Sequence, residues 1–151
     1  MRFMVMIKAS ADSEADVDPE EGLLLEMGKY NEALVDAGIM RDGAGLMSSA
    51  KGARVEIKMG KPLVTDGPFA EIKEVIAGFW IWECASLQDA IEWVAKCPVA
   101  HGQNRFEIRQ MHELEDFGTE GEGYEQHQKV AQKLRDQAGD SGIVYDDKGN
   151  S

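Results

Sequence analysis

The residues best suited to chemistry lie in one short segment, residues 64–74, with the sequence VTDGPFAEIKE. Asp66, Glu71 and Glu74 supply carboxylates, and Lys73 supplies an ammonium group. Carboxylates held in different environments can act as a general acid and a general base, so the segment indicates acid–base chemistry. The alternative is that Asp-Gly-Pro only shapes a turn and that the charged side chains form a solvated surface.

Further candidate residues follow this segment along the chain. His101 lies in a loop where its imidazole could carry a proton, although a solvated histidine is the plainer alternative. The predicted proton-transfer residues are Asp66, Glu71 and His101, and the predicted substrate-binding residues are Phe69, Lys73, Glu74, Trp80 and Trp82. The remaining histidines, cysteines and carboxylates show no known ligand spacing, so neither a metal nor another cofactor is expected.

Strands and helices alternate along residues 1–117 in an order that predicts how these side chains are positioned. Strands are expected at residues 3–9, 39–47, 53–59, 63–65, 75–84 and 106–111. One helix is expected between an N-cap at Asp18 and Gly38, and another between an N-cap at Ser86 and Pro98. This order predicts an α+β ferredoxin-like sandwich with an extra β-hairpin. A turn at Asp66-Gly67 would join the hairpin to the long strand, since glycine accepts positive φ.

Two central strands are apolar on both faces. Trp80 and Trp82 alternate with other apolar residues in the long strand, as Met4 and Met6 do in the first. Because both helices of such a sandwich cover one face, these four side chains are expected on the open face. Their burial at ~25 cal/mol per Å² predicts a homodimer formed by two sheets packed face to face. The alternative is that the C-terminal segment covers this face within one monomer.

The length and charge of the chain exclude several classes of protein. It has 151 residues, 16 of them basic and 28 acidic, and a net charge of −12. A chain of this size folds without a disulfide or metal, and its negative surface repels nucleic acid and anionic lipid. No apolar run reaches the ~18 residues of a membrane-spanning helix, and the N-terminal residues do not resemble a signal peptide. Two cysteines fit a reducing compartment, so a cytoplasmic protein without nucleic-acid or membrane partners is expected.

The last quarter of the chain differs from the rest in composition. Residues 112–151 hold 10 acidic and 4 basic side chains. Residues 118–123 are glycine-rich, and the residues after them recur at helical spacing: Tyr124, His127, Ala131, Leu134 and Ala138. The sequence therefore predicts a domain at residues 1–117 and an acidic, partly helical extension at residues 118–151. The helix is expected to pack on the domain or on a partner subunit, and binding of another protein is the alternative.

The segment TDGPFAE at residues 65–71, with Lys73-Glu74 after it and Gly78 before an aromatic strand, resembles the signature of the YCII-related proteins of the DGPF type. The resemblance covers about residues 2–111, including Pro19 near a helix start and Cys97-Pro98 after the second helix. It implies a ferredoxin-like fold that forms a dimeric α/β barrel, with a small-molecule cleft but no agreed activity. It also implies a regulatory link to extracytoplasmic-function sigma factors, because such proteins are often encoded beside them.

One feature of a catalytic branch of this family is absent. The YciI branch resembles an enzyme with a histidine on the first helix facing an aspartate before the proline that ends the second. Here Cys97 precedes Pro98 and the first helix has no histidine, so this dyad does not carry over. Two classes of function remain. One is a small-molecule binder that, if it is an enzyme, performs cofactor-independent lyase- or isomerase-like chemistry in a dimer cleft; the other is a non-catalytic regulatory partner of a protein such as a sigma factor.

Overall fold

Six strands and four helices form the regular structure of the computed structural model, which describes residues 1–98 and 104–138. The strands are β1 (Arg2–Lys8), β2 (Met40–Gly45), β3 (Ala53–Lys58), β4 (Lys61–Asp66), β5 (Ile76–Glu83) and β6 (Phe106–Gln110). The helices are α1 (Ala11–Glu14), α2 (Glu21–Asp36), α3 (Leu87–Val94) and α4 (Glu122–Ala138), with 3-10 turns at Ser49–Lys51, Ile72–Glu74 and Leu114–Phe117. None of the helices in these two ranges has the length and apolar composition needed to cross a bilayer.

The main sheet is antiparallel and has the strand order β2-β5-β1-β6. Its central strands are β1 and β5, as the sequence predicts from their apolar composition. The remaining two strands, β3 and β4, form a separate two-stranded sheet, which is the expected hairpin. The fold class is therefore α+β, and its topology is compatible with a ferredoxin-like sandwich.

Trp80 and Trp82 lie in the hydrophobic core, so their predicted position on the open face of the sheet is wrong. Across β1 and β5, Phe3 pairs with Trp82 and Val5 pairs with Trp80. Residues paired directly in antiparallel strands point to the same face. All four side chains are at most 7% exposed, and they form one cluster with buried residues of α2 and α3. The tryptophans therefore face the helices.

The opposite face of the sheet carries an apolar group that we call the open-face cluster, formed by Met4, Met6, Phe79 and Ile81. In the register of β1 and β5, Met4 lies opposite Ile81 and Met6 lies opposite Phe79. Ile81 is 9% exposed, and the other three side chains are partly exposed. The prediction that Met4 and Met6 lie on this face is confirmed.

Ion pairs border the open-face cluster on both sides. An Arg41–Glu83 pair at 2.7 Å joins β2 to β5. A Lys8–Glu107 pair at 2.8 Å joins β1 to β6. The pKa of the Glu107 carboxyl is lowered, and the hydrogen bond from Lys8 is the largest cause. The face therefore has an apolar centre and a charged margin.

The helix ends agree only in part with the sequence pattern. α2 begins after Glu20, which forms no side-chain capping hydrogen bond, so Asp18 is not the N-cap. Its end is as predicted, since Gly38 adopts φ 70°, the left-handed conformation that follows many helices. α3 also begins as predicted, because Ser86 Oγ accepts a hydrogen bond from the Asp89 amide at 3.1 Å.

The chain divides into two compact units after Gln110. The first contains both sheets together with α1, α2 and α3. In the second, the His112 and Phe117 rings lie 4.8 Å apart, and His112 Nδ1 lies 3.5 Å from a carboxylate oxygen of Asp116. α4 follows and occupies the segment in which the spacing of Tyr124 and later residues predicts a helix.

Candidate functional site

The corner predicted from Asp66-Gly67-Pro68 is present, but close backbone contact rather than positive φ explains its glycine. β4 ends at Asp66, the Gly67–Pro68 peptide is cis, and the Gly67 amide donates to the Gly52 carbonyl oxygen at 3.0 Å. The φ of Gly67 is not positive. A Cβ at Gly67 would lie 1.6 Å from the Ser49 carbonyl oxygen. Only glycine allows the two backbone segments to approach this closely.

Two buried serines in the loop after β2 bind two carboxylates near α1. The Ser49 amide donates to Glu14 Oε1 at 3.1 Å, and the Ser49 hydroxyl donates to Glu14 Oε2. The Ser48 amide donates to Asp16 Oδ1 at 3.0 Å. The sequence does not predict a role for any of these four residues, because no local pattern links positions that lie so far apart in the chain. Their hydrogen bonds fix the loop that the corner contacts.

An open cleft of about 420 Å³ lies beside the corner. Its apolar walls are contributed mainly by Leu46, Met47, Phe69, Val75 and Ile76. Its charged lining residues are Lys51, Arg54 and Glu74. The volume falls within the ~300–1,000 Å³ that is typical of small-molecule sites.

Arg54 stacks on Phe69 at one side of this cleft. The guanidinium carbon of Arg54 lies 4.0 Å from the centroid of the Phe69 ring, within the distance of a cation–π interaction. The ring is held in turn by its backbone, because the Phe69 amide donates to Ser49 Oγ at 3.0 Å. Lys51 instead lies 3.6 Å from an Asp16 carboxylate oxygen.

Two charged groups of the cleft have no ionic partner among the described residues. Over residues 1–98 and 104–138, no ion pair or side-chain hydrogen bond engages the guanidinium of Arg54 or the carboxylate of Glu74. Both side chains are exposed. The cleft therefore offers one cation and one carboxylate beside an apolar surface.

The predicted site residues are only partly brought together. Phe69 and Glu74 line the cleft, whereas Asp66, Glu71 and Lys73 are exposed side chains outside its lining. A 3-10 turn before β5 spans Ile72–Glu74, and Glu71 precedes it. The predicted binding residues Trp80 and Trp82 lie in the core, where Trp80 Nε1 donates to Asn31 Oδ1 at 3.0 Å. His101 lies outside the described residues.

The buried ionisable groups of the core are held neutral. Burial raises the pKa of the Cys97 thiol to about 11 and also raises the pKa of the Cys84 thiol. Burial likewise raises the pKa of Tyr30, whose hydroxyl donates to the Trp93 carbonyl oxygen at 2.8 Å. Both cysteines are free and buried. Raised thiol pKa values do not suit a nucleophile, so both cysteines act as small apolar side chains in the core.

No metal site is formed by the part of the chain that the structure describes. There, the histidine, cysteine, aspartate and glutamate side chains form no group of three or more that could hold an ion. The charged residues of the cleft suit an organic ligand, since a guanidinium binds carboxylates and a carboxylate accepts hydrogen bonds.

The corner and the cleft lie in the part of the chain that matches a known protein family. The model of the YCII-related domain matches residues 1–115. The chain is also 31% identical, over 84 residues, to an uncharacterized protein of Rhizobium meliloti (strain 1021); the match covers 56% of this chain and 68% of that protein. The chain therefore belongs to the family of proteins with a YCII-related domain.

Proposed function

We propose that the protein binds a small organic molecule in the cleft beside the corner at residues 66–69. One observation carries this proposal: apolar walls lie next to Arg54 and Glu74, whose charges have no ionic partner in the described parts of the chain. A concave site with apolar walls and a few polar groups is the usual form of a small-molecule site. The fixed position of Phe69 supports the same function, because a ligand that packs on a rigid ring orders little of the protein on binding.

Glu74 is the carboxylate best placed to exchange a proton with such a molecule. It lines the cleft, whereas Asp66 and Glu71 do not. It also ends the 3-10 turn that leads into β5, so its backbone is anchored to the main sheet. If the protein is an enzyme, this arrangement supports cofactor-independent proton transfer of the lyase or isomerase type, with Glu74 as the acid or base.

The open-face cluster supports a homodimer as the functional form. Its apolar centre and charged margin have the composition typical of protein interfaces. In a twofold dimer the same patch meets itself, so each cation of the Arg41–Glu83 and Lys8–Glu107 pairs can meet a carboxylate of the symmetry mate. Burial of four large apolar side chains per subunit favours association, at ~25 cal/mol per Å².

A thermal-shift screen of the full chain against a library of small organic acids, amides and alcohols tests ligand binding. Molecules that bind raise Tm, because they stabilise the folded chain by mass action. We expect such molecules to lose most of this shift with the Phe69→Leu variant and to show a changed shift with Glu74→Gln, which removes the carboxylate from the cleft lining. The matched control is Glu56→Gln, which removes a carboxylate from β3, outside the cleft lining. Shifts of equal size in all three variants would mean that the molecules bind elsewhere, and the proposal would be wrong.

A further inference from the structure

Arg54 has the geometry of an anion-binding residue. Its guanidinium lies over the Phe69 ring at 4.0 Å, and stacking on that face leaves the N–H groups at the edge of the guanidinium plane free to donate. The other cation of the cleft, Lys51, is already near a carboxylate oxygen of Asp16 at 3.6 Å. Arg54 therefore supplies the cleft with its available positive charge.

We infer that the cleft takes an organic carboxylate with an apolar body, and that the carboxylate is bound by Arg54. This inference rests on the proposed function, because it names the class of ligand for the same cleft. A carboxylate matches the fork of N–H groups of a guanidinium and can accept two hydrogen bonds in its plane. The apolar body then contacts the Phe69 ring and the aliphatic wall formed by Leu46, Val75 and Ile76.

A monoanion fits the cleft better than a phosphate does. Glu74 lines the same cleft, and the chain as a whole has a net charge of −12, so both repel a ligand more strongly as its negative charge increases. A phosphate dianion would meet one available cation and this repulsion together. The serine hydroxyl nearest the corner adds no ready donor, because the Ser49 hydroxyl already donates to Glu14.

Three probes separate the charge of the ligand from its shape. Phenylacetate supplies a carboxylate on an apolar body, phenylacetamide has the same shape without the charge, and inorganic phosphate supplies an anion alone. Titration of the full chain, followed by amide chemical shifts of labelled protein, gives both the dissociation constant and the location of each probe. We expect phenylacetate to perturb the amides of Phe69 and Arg54 and to bind about 10–100-fold more tightly than phenylacetamide. Phosphate is expected to bind more weakly than phenylacetate.

Substitutions at Arg54 test its role, and a substitution at Lys58, on the same strand β3, is the matched control. Arg54→Met keeps an apolar chain over Phe69 but removes the charge, so it should lose the preference for phenylacetate over phenylacetamide. Arg54→Lys keeps the charge without the planar fork and should retain part of the preference. Lys58→Met removes a cation from the same strand, where Lys58 pairs with Glu56 at 3.2 Å, and should behave as wild type.

The outcomes distinguish this inference from the proposed function. Equal affinity for phenylacetate and phenylacetamide at the cleft would overturn the carboxylate assignment and leave the cleft as a binding site. Unchanged phenylacetate binding by Arg54→Met, or tighter binding of phosphate, would also overturn the assignment. If neither organic probe perturbs the cleft amides up to millimolar concentration, and the library screen gives no molecule whose shift changes in Phe69→Leu or Glu74→Gln, both proposals are wrong.

Discussion

The Phe69 amide donates a hydrogen bond to Ser49 Oγ at 3.0 Å. The same hydroxyl donates to Glu14, so one side chain connects the corner, the loop after β2 and the end of α1. The position of the Phe69 ring, and of the Arg54 guanidinium stacked on it, therefore depends on a serine twenty residues earlier in the chain.

Replacement of this serine should weaken the fold and displace the corner. Ser49→Ala removes the donor to Glu14 and the acceptor of the Phe69 amide, so we expect a loss of about 1–3 kcal/mol in the free energy of unfolding. Urea denaturation measures this loss. Ser48→Ala is the control, because Ser48 Oγ accepts a single hydrogen bond, from the Ala50 amide at 3.1 Å, and its loss should cost about 1 kcal/mol or less. Equal stability of Ser49→Ala and wild type would contradict the connecting role.

Gly67 should tolerate no side chain. An added Cβ would lie 1.6 Å from the Ser49 carbonyl oxygen and 2.5 Å from the Ser49 carbonyl carbon, so Gly67→Ala must move the backbone. We expect a loss of about 2–3 kcal/mol or more in the free energy of unfolding. Gly28→Ala is the matched control, because an added Cβ there meets nothing within 4 Å and lies inside α2. That variant should gain about 0.5–1 kcal/mol, since alanine favours helix.

The two core tryptophans should respond differently to the same substitution. Trp80→Phe breaks the hydrogen bond to Asn31, at 3.0 Å, with an expected loss of about 1 kcal/mol beyond the loss of volume. The Trp82 indole N–H is buried and finds no acceptor within the described residues, so Trp82→Phe removes a donor whose burial costs about 1–3 kcal/mol. Trp82→Phe should therefore destabilise less than Trp80→Phe in urea denaturation. The reverse order would show that the Trp82 indole has a partner.

The tryptophans also show what a strand pattern leaves undetermined. Alternation in β5 correctly indicates that both of its faces are apolar, but alternation is symmetrical and does not say which face the helices cover. Strand pairing determines which face of β5 lies in the core, because Phe3 and Val5 of β1 lie opposite Trp82 and Trp80. This pairing depends on the register between strands about 75 residues apart, which no local periodicity encodes.

Part of the candidate site is likewise predictable from local sequence, and part of it depends on contacts between distant segments. The corner follows from the local chemistry of Asp66-Gly67-Pro68, and the sequence predicts it together with Phe69 and Glu74. The sequence does not distinguish Arg54, because there it is one of several charged residues that alternate along β3. Its stacking on Phe69 depends on how the hairpin folds back toward the corner, where β3 begins opposite the end of β4.

A charge placed in the open-face cluster should separate the proposed dimer. Phe79→Glu would bury a carboxylate among apolar side chains, so we expect the dissociation constant to rise by at least about 100-fold. Sedimentation of the variant at micromolar concentration should give the mass of one chain, and that of wild type the mass of two. Phe117→Glu introduces the same charge at a side chain that is 74% exposed in the second unit, and should leave the dimer intact. A wild-type chain that sediments as a monomer would favour coverage of this face by its own C-terminal segment.

The Cys97 thiol should make the fold sensitive to alkaline pH. Burial raises its pKa from about 9 to about 11, so between these values the unfolded chain releases a proton that the folded chain retains. The stability due to the neutral thiol is complete below pH 9 and is lost as pH rises toward 11. The free energy of unfolding should therefore fall over this window by up to about 2–3 kcal/mol from this group.

The Cys97→Ala variant isolates this contribution from other groups that titrate in the same range, such as Tyr30. At neutral pH the variant should be less stable than wild type, because it loses a buried sulfur atom. As pH rises from 8 toward 11, this difference should shrink, since only wild type carries the thiol that ionises on unfolding. Urea denaturation of both proteins at closely spaced pH values measures the difference. A difference that stays constant across the window would show that the folded and unfolded chains share the same thiol pKa, and that the Cys97 pocket admits water.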